Sequence, residues 1–215
     1  AFLSAVIAGE FRVREGSAPF IRFLLGMFMM IGALVFLGCP LRAILRLAGG
    51  DLNAVAGLLG FFAGVAFGTQ FLKAGFNLGR AHPSRFRAGG YAMPLIMIAL
   101  LVLVVFKPVF NAEAGGPVFF SAKPPGSLHA PLVVSLVAGL IGGALAQRAR
   151  LCLSAGFRDL LLVRDTYLLK GYGLIFLAAL VANLFLGQFH LGFADQPVAH
   201  TSFLWNFLGL FLTGV

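Results

Sequence analysis

The stretch Phe36–Gly60, "FLGCPLRAILRLAGGDLNAVAGLLG", places Cys39, Arg42, Arg46 and Asp51 inside a run that is otherwise apolar. Local signals divide it. Pro40 suits the first position of a helix, Gly49 and Gly50 form a natural stop, and Asp51 can cap the helix that follows. The piece between them is too short to cross a bilayer, which takes roughly 20 apolar residues. A helix of that length enters a membrane only where its backbone ends face protein or a water-filled cavity. Its N-terminus, with the free amides after Cys39 and the positive end of the helix dipole, is a ready anion site. The stretch is expected to be a short re-entrant helix with a thiol at its mouth.

Working outward, the 215-residue chain is 60% hydrophobic and only 11% charged, with a mean hydropathy of +0.98. That balance belongs to an integral membrane protein rather than a soluble domain. Apolar runs long enough to span fall at about 18–38, 52–72, 91–108, 130–147 and 171–188, and another opens near Ser202. They lack the period-two alternation of a membrane barrel, so the expected class is an all-α polytopic bundle. Ala1–Gly9 reads as the tail of an earlier helix and Val215 falls in mid-span, so the chain is expected to be a fragment of one transmembrane domain. No charged n-region with a cleavage site marks a signal peptide.

The net charge of +9 would suggest nucleic acid in a soluble protein. Here the basic residues lie between apolar runs, so the lipid bilayer is the expected partner and nucleic acid is not. The segment "LKAGFNLGRAHPSRFRAGG", with Lys73, Arg80, Arg85 and Arg87, is placed inside. So is the segment carrying Arg148, Arg150, Arg158, Arg164 and Lys170. "NAEAGGPVFFSAKPPGSLHAP" and "FHLGFADQPVAH", poor in basic residues, are placed outside. This alternation puts Arg42 and Arg46 on the outer side, against the charge rule, which a short helix with a local purpose would explain.

The arrangement returns at "GGALAQRARLCLSAGFRDLLLVRDTYLLKG". Each cysteine follows a long apolar run and meets arginine within seven residues, Arg42 and Arg46 after Cys39 and Arg158 after Cys152. Each is followed twelve or thirteen residues later by an aspartate, Asp51 or Asp165, and then by another long run. Cys39 would end an outward helix and Cys152 an inward one. Repeats of opposite orientation meeting through broken helices are a recurring transporter plan. The expected repeats are about 18–108 and 130–215.

"LGCPLRAILRLAGGD" and "QRARLCLSAGFRD" resemble the YeeE/YedE family of sulfur-compound transporters, in particular its YedE-related members associated with selenium metabolism. The resemblance runs over nearly the whole chain, through "GFNLGR", "RDTYLLKG", "NLFLGQFHLGFADQPVAH" and "LWNFLG". It implies a pseudo-symmetric helical importer in the bacterial or archaeal plasma (inner) membrane, in which short helices bring cysteine thiols to a narrow central route. Thiosulfate is the substrate associated with the YeeE-type members. For the selenium branch the substrate is inferred. Cys39 in "GCPLR", with Gly38 and Pro40, and Cys152 in "RLCLSAGFRD" fall on the family's cysteine positions. The family carries a further "GGC" element after the helix that starts here at "SFLWNFLGLFLTGV", and the chain ends before it.

A thiol is a weak, polarizable donor that can bind a terminal sulfur or selenium without a fixed charge. Arg42, Arg46 and Arg158 would attract the anion and bind its oxygens. Conduction through several weak sites keeps release easy. The expected function is therefore import of a small sulfur or selenium oxyanion by handover from Cys39 to Cys152, with no catalytic residue, metal or cofactor. A cytoplasmic sulfur or selenium carrier protein is a further expected partner.

Plainer readings stand beside these. The cysteines can be small packers, Arg42 and Arg46 can snorkel to headgroups, and Arg158–Asp159 or Arg164–Asp165 can be interfacial pairs. Asp51 reads as a cap more readily than as a proton carrier. Gly60, Gly64 and Gly68 read as a close-packing helix face, and Lys107 and Pro108 as interface anchors. His82, His129, His190 and His200 all fall at loops or span ends, which gives no intramembrane haem pair or metal cluster. The alternatives to transport are a membrane thiol redox protein, though there is no Cys-x-x-Cys, and a structural subunit serving sulfur or selenium metabolism.

Overall fold

The computed structural model describes residues 6–9, 12–80, 82–84, 87–106, 130–194, 196 and 199–215. Arg85, Lys107, Pro108, His129, nearly all of the expected outer loop from Asn111, and the first part of Ala1–Gly9 lie outside the described residues. The helices are α1 Pro19–Phe36, α2 Pro40–Ala48, α3 Asn53–Lys73, α4 Ala92–Phe106, α5 Leu132–Ala149, α6 Leu153–Val163, α7 Tyr167–Phe185 and α8 Phe203–Gly214. Two-residue strands β1 Arg14–Glu15 and β2 His82–Pro83 pair antiparallel, and a short 3₁₀ turn covers Arg87–Tyr91.

The chain is mostly helical, with four stretches long and apolar enough to cross a membrane: Pro19–Ala48, Asn53–Lys73, Leu132–Val163 and Tyr167–Phe185. The first and third are each interrupted at a cysteine. α7 begins earlier than hydropathy suggests, because Asp165 accepts a hydrogen bond from the Tyr167 amide at 2.9 Å and so sets its first turn.

Two compact units divide the chain. One takes Gly79–Arg150 and the described part of Ala1–Ser17, and holds the strand pair, α4 and α5. The other takes Ala18–Leu78 with Leu151–Val215, and holds α1, α2, α3, α6, α7 and α8. These units cut across the expected repeats, since the second draws on both.

The second unit closes around Phe36, Ala43, Ile44, Phe61, Val65, Leu153, Tyr172 and Leu210. α8 packs against both α1 and α3 at backbone distance. A Cβ on Gly60 would run into the Phe207 carbonyl, one on Gly64 into the Phe211 carbonyl, and one on Gly32 into the Gly209 carbonyl. Lipid offers no hydrophobic drive to bring helices together, so close van der Waals approach of small residues supplies it. The Thr213 hydroxyl donates to Gly209 O at 3.1 Å, and the Asn206 amide donates to His200 O at 3.0 Å. His200 Nε2 lies 2.8 Å from Val35 O, tying the approach to α8 onto the end of α1.

Candidate functional site: two cysteine corners

The two interrupted stretches break in the same way. Two residues before each cysteine stands a non-glycine residue in the left-handed region, Leu37 at φ 61° and Arg150 at φ 49°. Cys39 and Cys152 then take extended backbone as the N-caps of α2 and α6. Each cysteine carbonyl accepts the first helical bond, from Ala43 N at 3.2 Å and Gly156 N at 3.0 Å. Beyond each short helix, Asp51 and Asp165 accept from the amide two residues on, Asn53 and Tyr167, both at 2.9 Å. Those two residues open the long helices α3 and α7.

At the first corner, Arg42 Nη1 donates back to the Leu37 carbonyl at 2.8 Å, across the break. Gly38 makes room for this turn, since a Cβ there would sit 2.5 Å from Arg42 Cδ. Arg46 is buried. Its Nε donates to Asp51 Oδ2 at 2.6 Å and its Nη1 to Phe36 O at 3.1 Å, and its guanidinium lies 4.4 Å from the centre of the Phe36 ring. Burial removes headgroup snorkelling as its role, and its remaining nitrogen, Nη2, has no protein partner.

The loop after α7 docks on this corner. His190 N donates to Gly49 O at 2.9 Å, Leu52 N to Gly192 O at 3.1 Å, and Asn53 Nδ2 to Phe193 O at 2.7 Å. A pocket of about 610 Å³ opens between loop and corner, lined by Arg42, Arg46, Asp51, Asn183, Gln188 and His190 among others.

At the second corner, Arg158 grips its neighbour Asp159 through Nε at 3.0 Å and Nη2 at 2.8 Å, in an exposed pair. Cys152, Ser154 and Arg158 line a cavity of about 570 Å³ whose other walls are largely apolar, with Phe67, Phe71 and Leu72 from α3. Phe157 of α6 meets Phe61 and Phe62 edge-on, with ring centres at 5.9 and 5.3 Å.

Sequence reasoning passed over a further buried residue that carries a polar group. Tyr172 of α7 is only 5% exposed, in the core cluster with Ala43 and Ile44 of α2 and Leu153 of α6. Both thiols are free and exposed. A signal was present: the chain uses 24 Phe and 3 Tyr, and Tyr91 and Tyr167 stand at helix starts while Tyr172 lies within a span. A hydroxyl there, where phenylalanine is the habit, marks a polar need.

Among the described residues, no group of three or more His, Cys, Asp or Glu side chains is placed to hold a metal ion. No protein-family model, curated protein or solved structure matches the chain.

Proposed function

We propose that this protein is a multi-pass transporter of the bacterial or archaeal plasma membrane, importing a small oxyanion that carries terminal sulfur or selenium, thiosulfate or a selenium analogue. The observation that carries the reading is the same break at Cys39 and Cys152, each a free, exposed thiol capping a short helix that interrupts a span. Each thiol stands at the start of a short helix, where free amides and the helix dipole favour an anion. Thiols bind such an anion weakly enough to release it, and two in series pass it on by hydrogen bonding without covalent change.

The shared backbone pattern at Cys39 and Cys152 supports two repeats, and opposite orientation would give alternating access to a common route. In this reading the short helices are re-entrant and the pocket beside Arg42 and Arg46 is an outer vestibule. The resemblance to the YeeE/YedE family agrees with it, and a cytoplasmic sulfur or selenium carrier would receive the product.

Uptake of labelled thiosulfate, selenite and selenosulfate by cells carrying the protein tests the reading. Cys39→Ser and Cys152→Ser are each expected to lower uptake at normal expression, and uptake indifferent to both would sink it. A membrane thiol redox role is the second reading, favoured by two free, exposed thiols. It would be preferred if both substitutions spared uptake and mild oxidation joined Cys39 to Cys152 in the wild type.

A further inference from the structure

The pocket of about 610 Å³ beside the first corner gathers donors that the fold leaves unspent, and neither cysteine lines it. Arg42 gives one guanidinium nitrogen to Leu37 O, and among the described residues no carboxylate pairs with it. Asn183, near the end of α7, holds its side-chain nitrogen close to the stop of α2, where a Cβ on Gly49 would lie 3.8 Å from it. Neither its carboxamide nor that of Gln188 makes a hydrogen bond among the described residues. A polar group left free near the end of a span is costly unless water or a ligand meets it. Arg46 also lines the wall, its side chain 7% exposed and its Nη2 without a hydrogen-bond partner.

The groups that would repel an anion here are already occupied. Asp51 Oδ2 accepts from Arg46 Nε at 2.6 Å, and its Oδ1 accepts from Asn53 N and Nδ2 at 2.9 and 3.0 Å. The carbonyls after α2 are taken by the docked loop, Gly49 O by His190 N at 2.9 Å and Gly50 O by Gly192 N at 3.1 Å. With Arg46 balanced by Asp51 and His190 counted as neutral, Arg42 leaves the pocket one net positive charge. We propose that this pocket binds a small inorganic oxyanion by its oxygens, apart from the thiols, through Arg42, Asn183 and Gln188. The proposal deepens the vestibule of the transport reading and rests on that reading for its place on an uptake route. Guanidinium and carboxamide N–H groups recognise oxygen, so sulfate and thiosulfate are held alike here and the choice between them falls to the thiols.

The test is equilibrium dialysis of labelled sulfate, and separately of labelled thiosulfate, against the purified protein in chloride buffer. Wild type, Arg42→Gln and Asn183→Leu are compared, with a thermal melt of each and thiosulfate uptake by cells carrying the wild type. Wild type is expected to bind both anions with similar Kd, and each substitution to weaken both about tenfold or more, as for loss of a hydrogen bond to a charged group. Leucine matches asparagine in size and removes donors that no described residue uses, so Asn183→Leu is expected to melt with the wild type. It decides the matter alone if Arg42→Gln, which also loses the bond to Leu37 O, folds poorly. Wild-type affinity in Asn183→Leu would overturn the site, and so would a lowered melt with lost binding, since the carboxamide would then be serving the fold. Thiosulfate uptake without saturable sulfate binding would overturn the site and leave the transport reading standing. Sulfate binding weakened by the substitutions, in a protein that takes up no thiosulfate, would support the site and overturn the transport reading.

Discussion

Arg46 holds its charge largely out of water, with its side chain 7% exposed and that of Asp51 3% exposed. A buried ion pair contributes little net stability against an apolar replacement, but losing one partner strands the other. Asp51→Asn or Arg46→Met alone is therefore expected to destabilise the protein by about 3–5 kcal/mol. The double variant Arg46→Met with Asp51→Leu should recover much of that loss, and melting in detergent measures all three. Arg158→Ala breaks an exposed pair and should cost less than about 1 kcal/mol. An Arg158 variant melting as low as the Asp51 variant would contradict this assignment of burial. The sequence makes both arginines visible near a thiol, but it cannot tell a latch from an entrance. That difference depends on the chain reversing at Gly49–Gly50, where Gly50 has φ 97°, so that Asp51 comes back beneath Arg46.

Among the elements, the short helices owe their separateness to the residue two before each cysteine. Leucine and arginine in the left-handed region carry a steric cost of about 1–2 kcal/mol that glycine does not. Leu37→Gly and Arg150→Gly are expected to leave the melting temperature unchanged or raise it, while substitution by β-branched valine should lower it. If glycine lowered the melt at both positions, the breaks would be held by those side chains rather than tolerated despite them. Pro40, Gly49 and the aspartates make the bounds of the first short helix legible in sequence, since each has a local mechanism. The left-handed residues were not legible, because neither leucine nor arginine favours the conformation that closes the C-terminal ends of α1 and α5, where Leu37 N bonds back to Leu34 O and Arg150 N to Gln147 O. The four-residue glycine spacing on α3 is another readable mark, and α8 is what it receives. Gly64→Val, forced against the Phe211 carbonyl, is expected to cost several-fold in folded yield from membranes, against no loss for Gly139→Val, which meets nothing within 4 Å.

For the molecule as a whole, hydropathy reveals which segments can span but not which of them are neighbours, because helices covered by lipid and helices covered by protein carry the same apolar residues. The spans near 18–38 and 52–72 were thus legible, while the gathering of α2, α6 and α7 about Tyr172 was not. Charge adds an expectation of orientation, carried by the basic segments after Lys73 and around Arg148–Lys170. If those segments are inside, the helix before Cys39 runs outward and the helix before Cys152 runs inward. A closed route between them would then let each thiol be reached from its own side alone. With one of the two cysteines replaced by serine at a time, a membrane-impermeant maleimide is expected to label Cys39 from the outside and Cys152 from the inside. On the proposed transport reading thiosulfate should slow both reactions, because the anion would occupy the space the reagent must enter. Labelling of Cys39 only from the inside would reverse the first half of the chain and end the opposed-repeat arrangement. Labelling of both thiols from one side would replace a handover between two mouths with a single vestibule.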